Sequence, residues 1–211
     1  MVSQRRASTR GHIYASGGHR RVRLGERFAL KVSKDHTLSK LAGVSYRIPS
    51  WAHGFIRYGN TDINRAEWDV YRRYFSNPPD ELSNSFVRVR RHVRVKRGSV
   101  LVSETVKDFD GNYSRTLTDY GKVNNPLFWK RFDEVANWIV RNRIPLTDWN
   151  SNNFVVKRVS ATELIPVLID YKSAALGFSL SQMVHRATHK LPFFGKFRIM
   201  RKYAALKQNF S

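Results

Sequence analysis

The 211-residue sequence has no cysteine. That excludes a disulfide framework and a thiolate metal site, and it fits a reducing compartment. No apolar run approaches the ~18 residues that a membrane-crossing helix needs. None follows the basic start Met1–Arg10 either, so no secretory leader is expected. Internal repeats and long low-complexity linkers are also missing. Acidic residues are scarce: 16 Asp and Glu stand against 38 Lys and Arg, for a formal net charge of +22. A surface this basic seeks polyanions, whether nucleic acid, anionic lipid or phosphorylated glycolipid, and it says nothing about fold. The excess is spread along the chain, as the property of a whole face. Hydrophobic residues, at 41%, are enough for a core. The length suits one large domain or two small lobes sharing a cleft.

Two stretches carry chemistry. In Pro145-Leu146-Thr147-Asp148-Trp149-Asn150-Ser151-Asn152-Asn153 an Asp is followed five residues later by an Asn, and then by the apolar run Phe154-Val155-Val156. In Val167-Leu168-Ile169-Asp170 a short apolar strand ends in an Asp. Protein kinases arrange a hydroxyl-orienting Asp and two metal ligands in this way, because phosphates and a transferring phosphoryl group need Mg²⁺, which takes hard oxygen ligands. The same Asx-rich run also suits an ordinary turn.

The rest of the chain is compatible with that order. His12 to Ala15 read as a strand, and Ser16-Gly17-Gly18 as a glycine turn that lets backbone N–H groups approach phosphate. A second strand follows. Then Phe28-Ala29-Leu30-Lys31-Val32 reads as a third, with one charge inside it. Thr61 or Asp62 caps a helix reaching about Phe75, with Ile63, Val70 and Tyr74 at helical spacing. Glu67 falls on that apolar stripe, where a carboxylate needs a partner. Lys31 is one candidate; Arg65 and Arg72 are the local alternatives. Phe86 to Val102 reads as a hairpin with one strongly basic face, and Ser103 to Gly111 as a hinge. Asn125-Pro126 starts a helix with Phe128, Phe132, Val135, Ala136 and Ile139 as its core stripe. Lys190 to Gln208 is basic and amphipathic, suited either to an anionic membrane surface or to packing on the body.

Taken in order, the Gly17-Gly18 turn, Phe28-Ala29-Leu30-Lys31-Val32, Arg65-Ala66-Glu67, Val102-Ser103-Glu104 leading to Phe109-Asp110-Gly111, Asp148 to Asn153, and Leu168-Ile169-Asp170 resemble the YrbL family of PhoP regulatory network proteins. More distantly, they are similar to lipopolysaccharide core kinases. The likeness runs through residues 12–175 and lies in the order of the motifs rather than in any single one. It implies an α+β, two-lobed protein-kinase-like fold. Residues 12–104 would form a β-rich N-terminal lobe, after a flexible basic stretch 1–11. Residues 105–211 would form a short, mostly helical C-terminal lobe with a basic amphipathic tail. It also implies ATP and Mg²⁺ as cofactors. Asp148 would act on the hydroxyl, Asn153 and Asp170 would hold the metal, and Lys31, fixed by Glu67, would hold the phosphates. Gly17 and Gly18 would cover them, and Glu104 would stand at the adenine-binding hinge. Departures are visible: Leu146 and Thr147 stand where kinases have His and Arg, and Tyr171 and Lys172 replace Phe-Gly.

Three readings compete. The first is an ATP-dependent phosphotransferase acting on a hydroxyl of an anionic, lipopolysaccharide-type acceptor, in the cytoplasm or peripheral to the inner membrane. The second is a regulatory module of the same fold that binds nucleotide without transfer. The third, resting on charge and the Arg-Val alternation near Val87–Lys96, is a nucleic-acid-binding protein.

Overall fold

The computed structural model describes residues 6–7, 13–16, 20–34, 36–41, 44–96, 98–175 and 192–211. The Gly17-Gly18 turn lies outside them. The chain is mixed α+β, with antiparallel sheets and several helices.

The largest sheet has the order β1-β2-β3-β4-β8-β7: Arg6–Ala7, Ile13–Ser16, Arg20–Leu24, Phe28–Ser33, Gly98–Glu104 and Val89–Val95. Arg6–Ala7 pairs with Tyr14 and Ile13, so part of the stretch expected to be flexible belongs to the sheet. Between β3 and β4 the Gly25 N–H donates to the Phe28 carbonyl at 2.9 Å, and a Cβ on Gly25 would sit 3.0 Å from that oxygen. Period-two alternation decides what faces inward. In β4, Ala29 and Lys31 are buried while Phe28 and Val32 are exposed. In β3, Arg20 is buried while Arg21 and Arg23 face out. The hairpin read from Phe86 to Val102 forms as β7 and β8, with a bulge between Val89 and Arg91. Arg90, Arg91 and Arg94 are exposed along its edge strand, with exposed Arg88 and Lys96 flanking it, the cationic protection typical of a sheet edge. Phe86 and Val87 belong elsewhere: Phe86 bridges to Leu168, and the Val87 N–H donates to the Leu168 carbonyl at 3.0 Å.

Between β4 and the hairpin lie elements that no sequence pattern announced: a two-stranded sheet, β5 (His36–Leu41) with β6 (Val44–Pro49), and helix α1 (Ser50–Tyr58). Helix α2 (Ile63–Val70) follows and continues into a π-helical turn, Tyr71–Phe75. Its N-cap is Asp62. One oxygen accepts from the Asn64 and Arg65 N–H groups (2.9 and 3.1 Å) and from the Ser99 hydroxyl (2.7 Å), and the other contacts His92 Nε2 at 2.9 Å. The cap therefore ties the start of α2 to the β7–β8 hairpin.

A three-stranded sheet, β11-β10-β9 (Leu164–Leu168, Phe154–Arg158, Arg115–Thr116), makes the second half. After the short helix α3 (Leu117–Tyr120), helix α4 (Pro126–Arg141) starts on Asn125, whose side chain accepts from the Phe128 N–H at 3.0 Å. Its expected stripe is buried, and Phe132 lies 4.6 Å from the Phe154 ring and 5.3 Å from the Tyr203 ring. Tyr203 belongs to helix α5 (Pro192–Phe210), which buries Ile199, Tyr203 and Leu206. The basic C-terminal segment thus packs on the body, and its Tyr203 hydroxyl donates to Asp133 at 2.6 Å. Among the described residues no helix is long and apolar enough to cross a membrane.

Candidate functional site

The site begins with a lysine in a strand. Alternation turns Lys31 inward, where it is 6% exposed. Its ammonium donates to Glu67 Oε1 at 2.7 Å and to the Ile169 carbonyl at 2.6 Å. Lys31 is therefore a long-range partner of Glu67; of the local alternatives, Arg65 pairs with Asp69 and Arg72 lies over the Trp68 ring. Glu67 is fully buried and also accepts from Arg20. The Arg20 guanidinium reaches on to Asp170 Oδ2 at 3.1 Å and to Asn64 Oδ1 at 3.3 Å. Asn64, three residues before Glu67 on the same helix face, gives its amide to the Lys31 carbonyl (3.1 Å), the Ser99 carbonyl (2.9 Å) and the Ser99 hydroxyl (3.2 Å). Every polar group here has a partner, the condition under which burying charge is tolerated.

Asp170 follows β11 directly. Its Oδ2 accepts from Lys172 as well as Arg20, and its Oδ1 from the Lys172 N–H at 3.2 Å. Burial alone would raise its carboxyl, but the Lys172, Arg20 and Lys31 charges outweigh that and hold it far below the usual carboxylate range. Burial likewise lowers Lys31 against the opposing pull of Glu67. Arg20 is desolvated too, yet Glu67 and Asp170 raise it above its ordinary value. Tyr171 is wholly buried beneath this cluster, its hydroxyl donating to the Val87 carbonyl at 2.7 Å and its ring 4.5 Å from Phe75.

The β10–β11 ladder brings in the other motif. Phe154 pairs with Leu168, and the Ile169 N–H donates to the Asn153 carbonyl at 2.9 Å. The Asn153 amide donates to both the Asp148 carboxylate and the Asp148 carbonyl at 3.1 Å. Asp148 itself is exposed. Its loop is pinned from behind: Thr147 donates to the Ser173 carbonyl at 2.8 Å, and Lys202 of α5 donates to the Thr147 carbonyl. Lys31, Glu67, Asp170, Asn153 and Asp148 are thus joined by one continuous chain of contacts. Glu104 stands outside it, at the end of β8, where its N–H donates to the Arg88 carbonyl at 2.8 Å and its carboxylate pairs with Arg90.

Sequence reasoning missed Arg20, Asn64 and Lys172. The alternation of Arg20, Val22 and Leu24 against Arg21 and Arg23 would have turned Arg20 inward, and the three-residue step from Asn64 to Glu67 would have put both on one helix face. Lys172 has no comparable signal.

A phosphate-bearing nucleotide fits the cations of this cluster. An ammonium has three donors, and the contacts of Lys31 among the described residues use two. Mg²⁺ fits less well. It needs oxygen ligands, and both Asp170 oxygens already accept from nitrogen donors. Among the described residues no three Asp, Glu or His side chains gather as a metal cluster.

No curated protein matches the chain. Residues 55–211 match the family described as PhoP regulatory network protein YrbL. That span holds Glu67, Glu104, Asp148, Asn153 and Asp170, and leaves out Gly17, Gly18, Arg20 and Lys31. With most of its length inside that match, the chain belongs to the YrbL family.

Proposed function

We propose that the protein is a nucleotide-binding regulatory module of kinase-like architecture, taking a nucleoside triphosphate such as ATP between the large sheet and the Asp148–Asp170 segment. The observation that carries this is the placement of Lys31, held by buried Glu67 and by the carbonyl next to Asp170. A lysine fixed at both points has its charge aimed at one position, which suits the phosphates of a nucleotide. Regulation is favoured over transfer because Asp170 is committed to Lys172 and Arg20.

The second reading is phosphoryl transfer to a hydroxyl of an anionic acceptor. It is favoured by Asp148, whose carboxylate is exposed and oriented by Asn153. The exposed arginines of β7 would attract such an acceptor. Calorimetric titration with ATP tests binding: wild type saturates, and Lys31→Met weakens ATP by at least about tenfold under conditions where circular dichroism shows the variant folded. Equal affinity in both proteins contradicts the reading. Release or transfer of the γ-phosphate that disappears in Asp148→Ala decides for the second.

A further inference from the structure

Resting on the nucleotide-binding reading, we infer that the site takes its triphosphate without a divalent cation, the Lys172 ammonium and the Arg20 guanidinium standing on Asp170 where a kinase-like site would place metal. The local backbone builds this arrangement. Lys172 is the first residue of a 3₁₀ turn, Lys172–Ala174, closed by Ala174 N–H to the Tyr171 carbonyl (3.0 Å) and Ala175 N–H to the Lys172 carbonyl (3.0 Å). Its own N–H caps Asp170 Oδ1 at 3.2 Å, and its side chain curls back to the other oxygen of the same carboxylate. Arg20, fixed by Glu67 and Asn64, reaches that same oxygen at 3.1 Å.

The side chains are well enclosed: Lys172 is 13% exposed, Asp170 15% and Arg20 6%. They are not a solvated surface pair that a passing ion would open at little cost. His53 and Tyr58 of helix α1 lie within electrostatic range of Lys172. Burial, then the Arg57 and Lys172 charges, hold His53 below its ordinary value, so at neutral pH it adds no rival cation. Three cations, Arg20, Lys31 and Lys172, face two carboxylates, Glu67 and Asp170. A dication entering this group would meet like charge and would find Asp170 Oδ2 already taken by both cations. A metal-free triphosphate brings the negative charge that the group lacks.

The test is calorimetric titration of the full chain with ATP, once in EDTA and once in excess Mg²⁺. Wild type is expected to bind with affinities that agree within about threefold. Lys172→Met is expected to lose at least about tenfold in EDTA and to regain most of it with Mg²⁺, while Lys172→Arg keeps the wild-type behaviour. Circular dichroism checks that each variant is folded. The wild-type comparison stands by itself if Lys172→Met does not fold. Wild-type binding that needs Mg²⁺ overturns this inference and leaves the nucleotide reading standing. Lys172→Met indistinguishable from wild type also overturns it. No binding of ATP in either buffer overturns the nucleotide reading and this inference with it.

Discussion

Glu67 is fully buried and holds two cations from two different strands, whereas Asp148 lies on the surface and its carboxylate accepts from Asn153, five residues away. The partners of Glu67 are 36 and 47 residues distant in sequence. The first end of the site is therefore specified by the whole fold: sheet alternation, the α2 cap and the end of β11 must all form before those charges meet. The second end is a local turn, stabilised by its own Asx contacts and braced by Thr147 and Lys202. A buried, densely bonded end beside an exposed, lightly held one is what the proposed nucleotide-binding role calls for.

The sharpest way to break this comparison is to remove Glu67. Glu67→Ala leaves Arg20 and Lys31 buried without their carboxylate and is expected to cost about 3–5 kcal/mol, read as a shift in the urea midpoint. A loss no larger than that of Asp148→Ala would dissolve the distinction between the two ends. Asn64→Ala comes next. It strips the Lys31 and Ser99 carbonyls and the Arg20 guanidinium of a partner, for an expected loss of about 1–3 kcal/mol.

Acid sharpens the comparison further. The folded-state pKa of Asp170 lies below its unfolded value, so its pairing stabilises the fold above the unfolded carboxylate range, near pH ~4. That contribution is lost progressively as pH falls from there toward the folded value. Asp62 is shifted the same way: burial would raise it, but bonds from Ser99, Arg65 and His92 prevail. Urea midpoints of wild type are expected to fall on acidification below that range, and the slope should be shallower in Asp170→Asn. Identical slopes would place the acid sensitivity elsewhere. The smallest effect is expected at the exposed end, where Asp148→Ala should change stability by no more than about 0.5 kcal/mol and leave the affinity for ATP unchanged.

What the sequence disclosed follows the same division. The Lys31–Glu67 pairing was legible because each charge interrupts an apolar pattern of known period, two in the strand and 3.6 in the helix. The Asn125-Pro126 cap and the α4 stripe were legible for the same reason. Helix α1 was not. It buries His53 and Gly54 while exposing Trp51, Phe55 and Ile56, the inverse of the usual face. Gly54 is held close to the chain beyond the helix, where an added Cβ would lie 2.6 Å from the Asn60 carbonyl oxygen. Lys172 was legible only as a departure from Phe-Gly, because its contact depends on a 3₁₀ turn that curls it onto Asp170, which no periodicity encodes. Strand β8 ends at Glu104, where the hinge was expected, and the Glu104 N–H and carboxylate are engaged by Arg88 and Arg90.

On the proposed reading, nucleotide binds where Lys31, Glu67 and Asp170 meet, rather than on the basic edge strand. A solution NMR titration of the full chain with ATP tests this most directly. Saturable shifts are expected at the amides of Lys31, Asn64, Glu67, Ile169, Asp170 and Lys172, with the Arg88–Lys96 amides following only weakly. Shifts confined to Arg88–Lys96, with the Lys31–Asp170 cluster unmoved, would contradict it and return the protein to the polyanion-binding reading.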